Sequence, residues 1–155
     1  MEQGKAKRIY DTMVRALNAK EWNFDEKPED LTIVSGYTGD DLPIHFIIHI
    51  DEKREAIRFL SPMPFTFPED KRIDAAVAVC VANDGMVNGS FDLDLDEGQV
   101  SFRLTTSYCG CEIGEDFFMD MMGTALTTAD HYNDRFFALA KGLITLQKFI
   151  EQERQ

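Results

Sequence analysis

The strict alternation of apolar and polar residues in 90–105 constrains the fold of this chain more than any other feature of its sequence. The apolar positions are Phe91, Leu93 and Leu95 in the first run and Val100, Phe102 and Leu104 in the second. An alternation with a period of two is typical of a strand that buries one face. The connection 96–99 is polar and contains Gly98, which adopts a positive φ readily. The stretch therefore predicts an antiparallel β-hairpin with one face in the core.

The aspartates that alternate with these apolar residues look at first like the start of a calcium-binding loop. Such a loop needs glycine at its sixth position and a bidentate glutamate at its twelfth. Counted from Asp92, those positions hold Glu97 and Arg103. We therefore predict no metal site here. The aspartates are expected on the solvated face of the strand, with Arg103 paired to one of them across the hairpin.

The remaining periodicities predict helices around an antiparallel sheet, in the order α-β-β-β-α-β-β-α. The predicted elements outside the hairpin are a helix at 5–20, strands at Leu31–Tyr37, Pro43–Ile50 and Ala56–Met63, a helix at 68–84, and a helical region at 114–151 that is interrupted near 123–131. Short polar connections between the first three strands favour a meander. The 155 residues have the size of one domain. We predict a single α+β domain over 1–155.

The helix predicted at 68–84 is apolar on two opposite sides. One arc consists of Ile73, Val77, Cys80 and Val81, and the other of Ala75, Ala78, Val79 and Ala82. A helix that is apolar nearly all round is normally buried on both sides. We expect the first arc to cover the sheet, with Cys80 as a small core residue, and the second to meet another helix or a second subunit. The alternative for the second arc is that alanine, the strongest helix former, lies in water.

A second candidate surface is the methionine-rich start of the closing helix. Met119, Met121 and Met122 lie beside Phe117 and Phe118. Methionine adapts to irregular surfaces and is frequent where one surface binds several targets, but it also fills gaps in a core. Both interpretations stay open. The candidate residues for a dimer or partner interface are Ala75, Ala78, Val79, Ala82, Phe118, Met119 and Met122.

The charge of the chain bears on its partners. The formal net charge is −12, and nucleic-acid binding draws most of its affinity from Lys and Arg. Anionic membrane surfaces are disfavoured for the same reason. No stretch approaches the roughly 20 apolar residues of a membrane span, and the start of the chain lacks the pattern of a secretory signal. We predict an acidic cytoplasmic protein without nucleic-acid or membrane partners, whose three cysteines are reduced.

No motif in the sequence indicates a catalytic or metal site. Cys109 and Cys111 lack the second pair of ligands that a zinc site needs. His45 and His49 share a strand face but stand about 13 Å apart, which is too far to hold one ion. The acidic residues near 115–120 suit a helix N-terminus. We predict no catalytic residue, no cofactor and no metal, while a redox role of Cys109 and Cys111 stays open.

The segment 68–103 resembles the YbjN-like family of bacterial domains, and the order of elements agrees over essentially the whole chain. The resemblance is carried by Asn83 at the helix end, Gly89, Ser90 and Phe91 at the strand entry, and Asp94, Gly98, Val100 and Arg103 in the hairpin. It implies the fold of the class I type III secretion chaperones, a homodimer and a binding role. The family is described as regulators of sensory transduction and has no established chemistry, so no functional residue carries over.

Three hypotheses follow for the function. We favour a non-enzymatic homodimer that binds an unidentified protein, as a regulator or a chaperone-like escort, and that exposes an apolar groove or patch. The alternative is a small-molecule-binding protein or an enzyme whose pocket gathers residues distant in sequence, including His45 and His49. A third is a structural subunit of a larger complex.

Overall fold

The computed structural model describes residues 4–155. Its helices are α1 (Lys5–Ala19), α2 (Arg72–Asp84), α3 (Glu115–Ala140) and α4 (Leu146–Glu153). Its strands are β1 (Phe24–Lys27), β2 (Thr32–Thr38), β3 (Pro43–Asp51), β4 (Ala56–Thr66), β5 (Ser90–Asp94) and β6 (Gln99–Ser107). Short 3-10 turns at Pro28–Asp30 and Glu69–Lys71 precede β2 and α2. This architecture confirms the predicted α+β class with an antiparallel sheet, adds β1, and divides the closing helical region in two.

The strands form one antiparallel sheet in the order β1-β2-β3-β4-β6-β5. The meander β2-β3-β4 and the hairpin β5-β6 are joined where β4 pairs with β6, for example at Phe59 and Leu104. The predicted alternation of the hairpin is confirmed at Phe91, Val100 and Phe102, which are buried. It fails at Leu95, which lies beyond the end of β5 and is exposed.

A row of aromatic rings crosses the inner face of the sheet and continues into the helices. Neighbouring ring centroids lie 5.0 to 6.1 Å apart along the series Phe46, Phe59, Phe102, Phe91, Phe136 and Phe149. Most of these pairs are edge-to-face or tilted, the geometries that aromatic quadrupoles favour. The row reaches from β3 across β4, β6 and β5 to α3 and α4. It ties the sheet and the helices into one core.

The helices cover the inner face of the sheet. Helix α1 contacts β3 and α3, helix α3 contacts β3, β4 and β6, and helix α2 contacts β5, α3 and α4. The helix predicted at 5–20 is confirmed as α1, and its buried side includes Ile9, Met13 and Leu17. On the outer face, side chains such as Ile47 and Leu60 stay partly exposed. Within residues 4–155, no helix is both long and apolar enough to traverse a membrane.

Two elements differ from the sequence prediction. Strand β1 lies in a segment for which no element was predicted, because a short edge strand with Asp25, Glu26 and Lys27 exposed shows no alternation of burial. The break predicted at 123–131 is wrong: α3 runs through it, since Leu126 and Ala129 maintain its buried side. The helices separate instead at 141–145, where Gly142 takes a φ of +75° and the Thr145 hydroxyl accepts a bond from the Lys148 amide.

Replacing Phe91 with alanine should destabilise the fold by about 3–5 kcal/mol, the usual range for removing a buried aromatic ring. The ring contacts Phe102, Tyr132 and Phe136 and has 1% of its surface exposed. Urea unfolding measures the loss. Leu95→Ala, at a position that is 57% exposed, is the control and should stay within about 0.5 kcal/mol of the parent. Equal effects of the two substitutions would contradict the role given to the aromatic row.

Candidate functional site

Two aspartates of the hairpin, Asp92 and Asp94, have structural roles. The Arg103 Nε and Asp92 Oδ2 atoms lie 3.0 Å apart across β5 and β6, which confirms the predicted ion pair. Asp94 Oδ1 accepts hydrogen bonds from the amides of Asp96 and Glu97, at 2.9 and 3.2 Å. A carboxylate that binds the backbone two residues ahead is a common stabiliser of turns. These interactions orient the carboxylates along the hairpin.

Two side chains fasten the hairpin to α2. At the start of α2, the Arg72 guanidinium donates to the Asp96 carbonyl at 2.6 Å. At its end, Asn83 Nδ2 donates to the Phe91 carbonyl at 3.0 Å, and Asn83 Oδ1 accepts from the Phe91 amide at 2.8 Å. The amide of Asn83 thus pairs with the edge of β5 as a neighbouring strand would. Asn83 and Phe91, which both belong to the residues that carry the family resemblance, therefore hold α2 against the hairpin.

Glycine is required at two of those positions by close contacts. Gly98 has a φ of +75°, and a Cβ there would lie 2.3 Å from the carbonyl oxygen of Phe67. Gly89 has a φ of +81°, and a Cβ there would lie 2.5 Å from the ring of Phe102. Both glycines let the hairpin approach its neighbours closely.

The candidate interface residues lie mostly inside the chain. Ala75, Ala78, Val79, Ala82, Phe118 and Met122 are buried, and Met119 is half-buried against the core. The buried arc of α2 faces β5, α3 and α4 of the same chain. Small side chains suit this arc because the neighbouring elements approach closely. The methionine-rich segment likewise fills the core at Met121 and Met122.

The second arc of α2 meets other helices, α3 and α4, as one of its two predicted alternatives states, but the prediction that the first arc covers the sheet is wrong. The arc expected to cover the sheet faces solvent: Ile73 is 73% exposed, Val77 is 38% exposed, and Cys80 is exposed rather than a core residue. Both arcs are apolar, so periodicity could not tell which one faces inward. We call Ile73, Val77, Cys80 and Val81 the α2 stripe. An apolar stripe left uncovered on a folded chain marks a surface that can bind another protein.

A second uncovered surface lies on the outer face of the sheet. In register across the strands, Val34 pairs with Ile47, Ile47 with Leu60, and Leu60 with Arg103. Ile47 and Leu60 are 37% and 38% exposed. One step along, His49 pairs with Arg58. The arrangement places two aliphatic side chains next to guanidinium groups on an open face.

Two depressions form on this face. The larger, of about 520 Å³, is lined by Arg54, Arg58 and Arg103 with small residues around them. The smaller, of about 190 Å³, is lined by Ile47, His49, Phe59 and Leu60 together with Arg58 and Arg103. Arg58 and Arg103 therefore border both. His49 borders the smaller one, but the structure does not bring His45 into either depression.

The charges on this face are only partly balanced. Asp51 accepts bonds from the Arg54 amide at 3.0 Å and from the Arg54 guanidinium at 3.1 Å, and these bonds lower the pKa of the Asp51 carboxyl. Arg58 Nη1 lies 3.6 Å from the same carboxylate, and Arg58 makes no hydrogen bond among the described residues. Three guanidinium groups thus face two carboxylates, Asp51 and Asp92. Among these five groups one guanidinium charge is not balanced, although the chain as a whole is acidic.

Two groups away from the outer sheet face have raised pKa values. A hydrogen bond to Glu55 raises the pKa of the Cys109 thiol, whereas a reactive cysteine needs a lowered pKa. Desolvation, followed by the charges of Asp134, Asp130 and Asp40, raises the pKa of Asp41. Over residues 4–155, no three His, Cys, Asp or Glu side chains come together in a way that could hold a metal ion.

Comparison with solved structures defines the class of fold. The chain is similar to a chain of the HopA1–SchA chaperone–effector complex, with a TM-score of 0.57 and 13% identity over 86% of this chain and 99% of that one. It is similar to a chain of the ExsC–ExsE complex, with a TM-score of 0.57 and 9% identity over 85% of this chain and 96% of that one. The fold is that of the type III secretion chaperones.

The family follows from the sequence itself. The YbjN family, described as "Putative bacterial sensory transduction regulator", matches residues 10–138, so the chain belongs to this family. The crystal structure of YbjN, "a putative transcription regulator from E. coli", is similar with a TM-score of 0.57 and 11% identity over 77% of this chain and 84% of that one. No curated protein matches the chain.

Substitution of the two arcs of α2 with glutamate tests their orientation. Ala78→Glu should destabilise the fold by about 3 kcal/mol or more, because it buries a carboxylate without a partner. Val77→Glu should leave the stability of the monomer nearly unchanged, because its side chain already meets water. Urea unfolding at low protein concentration measures both. If Ala78→Glu were the milder change, the orientation of α2 would be incorrect.

The Asp51 carboxylate makes a pH-dependent contribution to stability. Because its pKa is lowered in the folded chain, the contribution is present above the unfolded pKa of about 3.9 and is lost as the pH falls through the folded value. Asp51→Asn should therefore lower Tm at pH 7, and the difference from the parent should shrink in acid. Asp25→Asn, on the exposed edge strand, is the control. A difference in Tm that stayed constant with pH would contradict this assignment.

Proposed function

We propose that this chain is a single-domain, cytoplasmic, non-enzymatic protein that binds another protein as a regulator or chaperone-like escort and acts as a homodimer. The observation that best supports it is that apolar side chains stay uncovered on two separate surfaces although the core is complete. Exposed apolar residues that lie next to one another often mark a protein–protein interaction site. One surface is the α2 stripe, and the other is the outer face of the sheet.

The α2 stripe is suited to self-association. Its residues recur at steps of four, three and one along α2, so they lie on one side of the helix. In a two-fold dimer the same patch meets itself, which requires a surface with few like charges. A chain with a net charge of −12 repels its copy, and the α2 stripe has no charged member. Pairing of two α2 helices would cover Ile73 and Val77 in both copies.

The outer sheet face is the second docking surface of this proposal. The HopA1–SchA and ExsC–ExsE structures with the same fold are complexes with a protein partner. By analogy, this chain holds a protein partner, and we assign that partner to the face that the α2 stripe leaves free. Because Ile47 and Leu60 lie centrally on the outer face, that face offers apolar area for binding.

Two buried tyrosines with raised pKa values have structural roles in this account. The Tyr132 hydroxyl donates to Glu153 at 2.7 Å, and burial together with this carboxylate raises the pKa of Tyr132 to about 12. Burial and Glu26 likewise raise the pKa of Tyr10. These phenols lie on different helices and stay protonated near neutral pH. They act as buried hydrogen-bond donors that join separate segments.

Val77→Glu should convert the dimer into a monomer, because it places like charges against each other and against a chain that is already acidic. Light scattering coupled to size exclusion measures the mass. Leu143→Glu is the matched control, since Leu143 is 72% exposed in the connection between α3 and α4 and should leave the dimer intact. A parent chain that is monomeric, or a Val77→Glu variant that remains dimeric, would contradict a dimer built on α2.

The binding role is tested by affinity capture of the tagged chain from its own cells, with quantitative mass spectrometry. The proposal predicts one or two proteins retained in a defined ratio to the chain. The Leu143→Glu variant should retain the same proteins. Recovery of the chain alone, across gentle extraction conditions, would count against a protein-binding role.

A further inference from the structure

We propose that the partner docks on the outer sheet face through a segment that combines carboxylate and aliphatic side chains. We call Ile47, Leu60, Arg58 and Arg103 the sheet-face site. This inference rests on the proposed protein-binding function and adds the chemistry of the partner. The observation behind it is that two aliphatic side chains, Ile47 and Leu60, lie directly beside two guanidinium groups.

The register of the sheet fixes the spacing of the site. Ile47, Leu60 and Arg103 lie side by side on β3, β4 and β6, and Arg58 precedes Leu60 by two residues on the same face. Neighbouring strands are about 4.8 Å apart, so the row from Ile47 to Arg103 spans about 10 Å. A short stretch of polypeptide can cover this distance with an aliphatic side chain at one end and a carboxylate at the other.

Both arginines retain donors for a ligand. Among residues 4–155, Arg58 makes one ion contact, at 3.6 Å to Asp51, and its side chain is 45% exposed. Arg103 uses Nε and Nη2 toward Asp92, at 3.0 and 3.4 Å. A guanidinium group carries five N–H donors, so each arginine can still bind a carboxylate, in the bidentate geometry that suits this pair.

The charges and apolar side chains of the sheet-face site favour one of its possible ligands over the others. If a second copy of the chain docked face to face on this surface, Arg58 and Arg103 would meet Arg58 and Arg103 of that copy. The repulsion between these guanidinium groups disfavours self-association at the site. Nucleic acid gains affinity from many phosphate contacts and would meet the strongly acidic remainder of the chain. A small anion would use the guanidinium groups and leave Ile47 and Leu60 uncovered. An acidic and aliphatic polypeptide segment uses every part of the site.

The overall negative charge of the chain does not prevent this binding. At physiological salt, charges further than about 8 Å are largely screened, so the nearest groups determine the local attraction. Around the site, three guanidinium groups face two carboxylates. A carboxylate of the partner that reaches Arg58 or Arg103 therefore meets a group of charges in which guanidinium outnumbers carboxylate.

The test uses a random peptide library displayed on phage, selected on the intact chain. Selected peptides should be enriched in Asp and Glu together with Leu, Ile or Val. Synthetic copies of these peptides are then titrated by fluorescence anisotropy. The double variant Arg58→Gln and Arg103→Gln should weaken binding about tenfold or more, because two charge-assisted hydrogen-bond sites are removed. Arg15→Gln with Arg154→Gln, at exposed positions elsewhere, removes the same charge and should change the affinity little.

A second pair of variants tests the aliphatic part without changing charge. Leu60→Gln should also weaken binding, whereas Leu143→Gln should not, although both leucines are exposed. Circular dichroism checks that each variant is folded. If Arg103→Gln loosens the hairpin by removing the Asp92 ion pair, Arg58→Gln and Leu60→Gln still report on the site.

The outcomes separate this inference from the proposed function. Peptides that bind without acidic residues, or that bind the double variant equally well, overturn the sheet-face site but leave protein binding intact. Binding that inorganic phosphate or acetate abolishes at the same concentration in the parent and in Leu60→Gln assigns the site to small anions and also overturns the inference. Failure to select any peptide counts against both.

Discussion

The fold depends on the aromatic row that passes through Phe91. This residue lies on β5, an edge strand, yet its ring contacts Phe102 in the sheet and Tyr132 and Phe136 in α3. Edge strands are normally the least secured part of a sheet. Here the Asn83 side chain pairs with the backbone of Phe91, so the ring is fixed from the sheet side and from the helix side.

The packing of the aromatic row on one face of the sheet decides which surfaces of the chain stay exposed. The helices gather on the face where the rings lie, and the outer face is left to Ile47, Leu60 and the arginines. The same packing turns the small-residue arc of α2 inward, because β5, α3 and α4 approach it closely. The larger apolar residues of α2 are therefore directed to solvent. The two candidate binding surfaces are consequences of how the core is filled.

The sequence was sufficient to predict the elements whose residue pattern has a single structural interpretation. The hairpin, the ion pair of Arg103 and the end of α2 near Asp84 were predictable because alternation and glycine positions have one interpretation each. The orientation of α2 was not, since both of its arcs are apolar. The sheet-face site was missed because Arg58 and Arg103 become neighbours only through the pairing of β4 with β6. One signal was present: Val34, Ile47 and Leu60 are apolar at positions where the alternation of their strands calls for polar residues.

The central claim is that one surface serves self-association and another serves the partner. Methyl NMR of isoleucine-labelled protein tests it directly, because Ile73 lies in the α2 stripe and Ile47 in the sheet-face site. The account predicts that dilution shifts the Ile73 methyl signal and leaves that of Ile47 in place, whereas titration with a selected acidic peptide shifts Ile47 and leaves Ile73. A peptide that shifted Ile73 alone, or that shifted neither signal while binding, would contradict the account.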